Sequence, residues 1–172
     1  MNRPEQSPAI EPQVAGTATA LLPIVVDAPL LEQRWALAAN SGAGPNARLR
    51  MRPWLTVARW NGNIDAATRV TDRLVDNAVR HGEPLPGGIV LLRVFVLPET
   101  EELAIEVQDG RPEFPGFEQV ATQSGEARKA PPGLWWVRHY RGQLAFDVIQ
   151  DGALTIGKTV QAIMPTTWDG AR

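Results

Sequence analysis

The residues best suited to chemistry in this sequence cluster in the stretch Thr71–Gly82 (TDRLVDNAVRHG) and at Asp109. On a helix, where each residue advances by about 100°, positions three, four and seven apart share a face. Arg69, Arg73, Asp76, Asn77, Arg80 and His81 then form one polar stripe beside an apolar face. Such stripes are commonly solvated surfaces crossed by Asp–Arg pairs. Asn77 departs from that pattern, because asparagine is an indifferent helix former and this one lies at the edge of the buried face. Asp109 is the second anomaly. Counting in twos along Leu103, Ile105 and Val107 puts it on the inward row of a strand, at the strand's end. A carboxylate there is costly to bury unless something donates to it. Either the strand has ended and Asp109-Gly110 is a turn, or Asp109 accepts a hydrogen bond from a ligand. The long irregular stretch that follows favours the ligand.

Composition removes several other chemistries. The 172 residues include no cysteine, which excludes disulfides, thiolate zinc sites and cysteine nucleophiles. With 17 basic and 19 acidic residues and a net charge of −2, the chain has no basic field for nucleic acid. The two histidines are far apart and no paired acidic motif accompanies them, so the spacing of a metal hydrolase is missing. No apolar run approaches the roughly 20 residues that span a bilayer. The segment before Thr19–Val26 mixes Arg3, Glu5 and Glu11, unlike a secretory signal. A cytoplasmic protein without membrane contact is expected. The six tryptophans are read as packing residues.

These side chains must be positioned by a small set of elements. Residues 1–45 read as an extension. Its first 18 residues, with Pro4, Pro8 and Pro12, lack periodicity and look disordered; Thr19–Val26 has the composition of an edge strand, and Pro29–Asn40 that of a helix. Ser41–Asn46 (SGAGPN) reads as a break, after which Pro53 fits the first turn of a helix running to Trp60. The clearest helix is Ile64–Gly82, with Asn63 as N-cap, Asp65 in its first turn and apolar residues at Ala67, Val70, Leu74, Val75 and Ala78. Ile89–Leu97 and Leu103–Asp109 read as two antiparallel strands. About 23 residues with little periodicity, Gly110–Pro132, have the length of a lid or binding loop. Gly133–Arg141 reads as a short helix, and Leu144–Gln150 and Lys158–Met164 as strands joined through Asp151-Gly152. The order predicts an α/β two-layer sandwich: a mixed, mostly antiparallel sheet with helices on one face, in a domain spanning 46–168.

The sequence also resembles a known family. LVDNAVRHG, then VQDG at the end of an alternating strand, then a long loop, a glycine-led helix and the strand GKTVQAIM resemble the GHKL, or Bergerat-fold, histidine kinase-like ATPases. The likeness covers roughly Ala47 to Pro165 and is strongest to the small anti-sigma-factor serine/threonine kinases of bacterial partner switching. It implies ATP and magnesium as cofactors. Asn77 resembles the asparagine that coordinates magnesium; its amide oxygen is a neutral hard ligand suited to a cation already held by phosphates. Asp109 is similar to the aspartate that accepts the adenine amine, followed by Gly110 of a first glycine box. Thr159 falls where a last-strand threonine lies near adenine, and Asp76 where relatives carry a residue beside the base. Gly133 resembles the surviving glycine of a second glycine box, and Arg128 and Lys129 could approach phosphate.

The departures shape the functional expectation. The family's catalytic glutamate lies one helical turn before the asparagine, where this sequence has Arg73. An arginine stays protonated and cannot orient or deprotonate a nucleophile as that carboxylate does. Asp72 is the neighbouring candidate, about 100° further around the helix. The first glycine box reads Asp109-Gly110-Arg111-Pro112, and Pro131-Pro132-Gly133 stiffens the second. The expected protein is an ATP-binding transcription regulator with weak or no phosphotransfer, acting on a protein partner such as a sigma factor or its antagonist, and able to form a homodimer. The alternatives are an active serine kinase using another carboxylate, and a degenerate interaction module that takes no nucleotide. A sensor histidine kinase is not expected, because neither His81 nor His139 lies on a long amphipathic dimerisation helix.

Overall fold

The computed structural model of the protein describes residues 29, 31–126 and 133–167. The elements are β1 (Leu31–Ala38), α1 (Ala43–Val57), α2 (Ile64–His81), β2 (Ile89–Val96), β3 (Leu103–Asp109), α3 (Phe117–Thr122), α4 (Trp135–His139), β4 (Gln143–Asp151) and β5 (Leu154–Met164). The strands form one five-stranded sheet in the order β1-β2-β3-β5-β4, and every neighbouring pair is antiparallel. With α1 and α2 packed on one face, the described residues form an α/β two-layer sandwich. Among the described residues no helix is long and apolar enough to cross a membrane.

Helix α2 forms where the periodicity places it. The Asn63 side chain accepts a hydrogen bond from the Ala66 backbone N–H at 2.9 Å, satisfying one of the unpaired donors of the first turn. Ala67, Val70, Leu74, Val75 and Ala78 are all buried against α1 and the sheet. Their inward row meets Ile105 and Val107 of β3 and Val160 and Ala162 of β5 in one core. This burial fixes which way the polar stripe of α2 must point.

The described residues from Leu31 to Pro45 depart from expectation. Pro29–Asn40 contains the edge strand β1, not a helix, and it belongs to the sandwich rather than to a separate extension. Its helix-forming composition is overridden by pairing with β2, which sets Trp35 opposite Leu92 and Leu37 opposite Val90. Trp35 then meets Trp54 of α1 edge to face at 6.2 Å. Helix α1 begins at Ala43, inside the expected break, and Pro53 sits in its interior. Ala43, Ala47, Met51 and Leu55, spaced by four, supply a buried face strong enough to carry the helix past the proline. The expected disorder of 1–18 and the strand at Thr19–Val26 lie outside the described residues.

The irregular stretch after β3 also holds more order than its composition suggests. Gly116, at φ 72°, turns the chain into α3, and Phe117 is buried there. Phe114, Phe117 and Phe146 of β4 form a ring cluster with centroids 4.6–5.5 Å apart, which fastens this stretch to the sheet. On the outer sheet face a polar ladder crosses four strands. Arg93 of β2 bonds Glu32 of β1 at 2.9 Å and Glu106 of β3 at 3.2 Å, and Gln161 of β5 donates to Glu106 at 2.8 Å. The Arg93 guanidinium also lies 4.2 Å above the Phe95 ring.

Candidate functional site

The exposed stripe of α2 forms one wall of a cavity of about 460 Å³. Arg73, Asp76, Asn77, Arg80 and His81 line that wall. The segment after β3 supplies Arg111, Glu113, Phe114 and Pro115, α3 and the residue after it supply Val120 and Gln123, and Gly133 and Leu134 close the far side. Lys158 of β5 forms part of the lining next to the sheet. The cavity therefore lies on the helix side of the sheet, between α2 and the segment anchored by the phenylalanines.

Four cations reach this space and two carboxylates accompany them. Arg80 pairs with Asp76 at 2.9 Å, one helical turn apart. Arg111 faces Glu113 at 3.7 Å and donates to the His81 carbonyl at 3.1 Å. Lys158 pairs with Asp109, outside the lining, at 2.9 Å. Arg73 stands outside these pairs, and its Nε is buried with no hydrogen-bond partner. The Nε2 of Gln123 is a second buried donor without an acceptor. A donor buried without an acceptor costs about 1–3 kcal/mol, so two of them in the lining of one cavity point to an acceptor-rich occupant.

The base of the cavity is sealed by the buried ion pair. Register sets Asp109 directly opposite Lys158 on β5, on the inward row. The Lys158 and Asp109 side chains are 3% and 0% exposed. The lysine ammonium donates to Asp109 Oδ1 and to the Arg111 carbonyl, each at 2.9 Å, and the Arg111 N–H donates to the same Oδ1 at 2.9 Å. Asp109 Oδ2 is buried and has no partner. Gly82 allows α2 to end against this carboxylate, since a Cβ there would lie 2.5 Å from Asp109 Cγ.

Of the residues singled out from the sequence, Arg73, Asp76, Asn77 and Gly133 all line the cavity. Asp109 is inward-facing and buried, as the alternation indicated, but Lys158 stands at the cavity in its place. Thr159 is not brought to the site. It pairs with Gln108 and Asp147 and faces the outer side of the sheet, because one step along a strand reverses the side chain. Gly110 is not in the lining; its N–H donates to the Glu83 carbonyl at 2.7 Å. Asp72 points at α1, where a Cβ on Gly44 would collide with its carboxylate, and it does not reach the cavity. Arg128 and Lys129 lie outside the described residues.

Lys158, Arg111, Phe114 and Gln123 are site residues that sequence reasoning missed. Lys158 had a signal. Val160, Ala162 and Met164 form the inward row of its strand, and counting back in twos reaches a lysine. Its partner could be found only from the register between β3 and β5.

The residues fit one end of a nucleotide better than the other. Unpartnered donors and an excess of cations fit phosphate, and Asn77 could add a neutral oxygen to a magnesium ion held by that phosphate. Among the described residues no group of three or more His, Asp or Glu side chains is placed to hold a metal without such a ligand. At the adenine end, Asp109 Oδ1 already holds the Lys158 ammonium and its Oδ2 is buried without a partner.

No protein-family model matches the chain, and no curated protein matches it. Ten chains of solved structure do. One of them is described as the mycobacterial sensor histidine kinase MprB, at 17% identity and a TM-score of 0.45, with the match covering 77% of this chain and 97% of that one.

Proposed function

We propose that this chain is a regulatory module that holds ATP and magnesium by the phosphates, transfers no phosphoryl group, and acts by binding a protein partner. The observation that carries the reading is Arg73, whose guanidinium enters the cavity one helical turn from Asn77 with its Nε buried and unpaired. A guanidinium remains charged at any working pH, so it can grip phosphate and cannot take a proton from a hydroxyl. No carboxylate among the described residues offers itself instead. Asp72 is turned to α1, and Asp76 and Glu113 each face an arginine. The sequence resemblance to partner-switching kinases supports a sigma factor or its antagonist as the partner.

A second reading, an interaction module that takes no nucleotide, is favoured by the Lys158–Asp109 pair, which supplies from within the chain what a ligand amine would otherwise provide. Isothermal titration with ATP and magnesium at high micromolar protein separates the two. Saturable heat that Arg73→Gln weakens supports the first reading; absence of heat ends it and leaves the second. Transfer of labelled γ-phosphate to a bound partner would refute the claim that the module does not catalyse.

A further inference from the structure

We infer that the outer face of the sheet is a docking surface for this chain's own residues 19–26 (TALLPIVV), which cover an apolar row on which no described helix packs. The outer face of a two-layer sandwich ordinarily meets water, so its side chains should be part-exposed. Four of them are not. Phe95 of β2, Ala104 of β3 and Ile163 of β5 form a second hydrophobic cluster at 3%, 0% and 7% exposure, with Leu97 packed against it. Gln161, next on the same face of β5, is 1% exposed. The Arg93 guanidinium lies over the Phe95 ring, but Ile163 stands two strands further on, about 10 Å away. One arginine cannot cover both.

The place where the chain enters the sheet selects the occupant. Leu31, the first residue of β1, pairs with Val96, and the next register line runs Glu32–Phe95–Ala104–Ile163 straight across the sheet. That line spans three strand spacings, about 14 Å. Val26 precedes Leu31 by five residues, which reach at most about 18 Å, so residues 19–26 can lie anywhere along the line. Only Thr19 among them is polar, and none is charged. The other candidate segments carry charges that an apolar row would desolvate: Arg3, Glu5 and Glu11 in 1–18, Arg128 and Lys129 in 127–132, and Asp169 and Arg172 beside Trp168. Gln161 adds a polar sign. Its Nε2 is engaged by Glu106, while its Oε1 is buried without a donor. Backbone laid on this face brings N–H donors to that oxygen, which aliphatic side chains alone do not.

The chain has no cysteine, so single introduced thiols report burial. The test measures maleimide labelling of Ile163→Cys in the full-length chain, alone and combined with Leu22→Asp and Ile24→Asp. Val160→Cys, on the inward row of the same strand, is the second reporter. The expected result is a protected Ile163→Cys that the two aspartates expose, with labelling about tenfold faster, while Val160→Cys stays protected throughout. An unchanged rate at Ile163→Cys would overturn the inference. So would exposure by Trp168→Ser instead, which would assign the cover to the last residues. Protection that disappears on dilution of the protein would assign it to a second copy, with the same consequence. Equal acceleration at Val160→Cys would make residues 19–26 part of one cooperative core, not a segment docked on a finished sandwich, and would overturn the inference as well.

Discussion

Lys158 and Asp109 place opposite full charges in an interior that excludes water, 2.9 Å apart. The desolvation of two ions nearly cancels their attraction, but removal of one leaves the other uncompensated. Lys158→Met is therefore expected to destabilise the chain by about 3–5 kcal/mol, and Lys158→Met with Asp109→Leu to recover most of that loss. Urea unfolding of the two variants at neutral pH measures both. At this scale the sequence was informative about which residues are unusual and less so about what they touch. Asn77 and Arg73 could be placed at a site because both lie on one helix, whose period alone relates them. Thr159 lies one residue from the cavity-lining Lys158 and on the opposite face, since a strand reverses its side chain at every step, and the partner of Asp109 depends on a pairing register between segments 49 residues apart.

Helix α2 and strands β2 and β3 were legible because each combines a strong period with clear end signals. Leu74, buried on the inward face of α2, should cost about 2–5 kcal/mol when replaced by alanine, and Asn63→Ala about 0.5–2 kcal/mol through the lost cap, both read from chemical denaturation. Strand β1 and helix α1 were misread because their local preference opposes their tertiary role: an edge strand with helix-forming residues, and a proline carried inside a helix by its buried face. The outer-face ladder ties β1 to the rest of the sheet. Hydrogen bonds from Arg93 and then Arg34 hold the Glu32 carboxyl below its ordinary value of 4.5. The unfolded chain then binds the proton more readily, so this contribution is complete above that value and is lost as the pH falls through the folded-state value. Glu32→Gln should accordingly flatten the decline in stability between neutral and acidic pH, as measured by urea midpoints across that range.

At the scale of the whole molecule, one sheet carries two different arrangements. Its outer face holds a hydrogen-bonded ladder, and its inner face holds the helices and, at the end of β3 beside Lys158 of β5, the cavity. A ligand that binds the folded chain and not the unfolded one stabilises it by mass action. Nucleotide at one hundred times its dissociation constant should add about 2.7 kcal/mol, seen as a raised melting temperature that Arg73→Gln reduces at the same concentration.

The sealed pair also restricts how this sequence can drift. A substitution at Lys158 strands an anion, and one at Asp109 strands a cation, so neither position can change freely while the other is kept. The two codons behave as a single hereditary unit whose neutral moves are double ones. In a library randomised at both positions and selected for folded protein, the survivors should be the original pair and pairs that have both become uncharged, with few single replacements between them. A route from this sequence to one with an open Asp109 thus runs through a poorly folded intermediate unless some other group first supplies the missing charge.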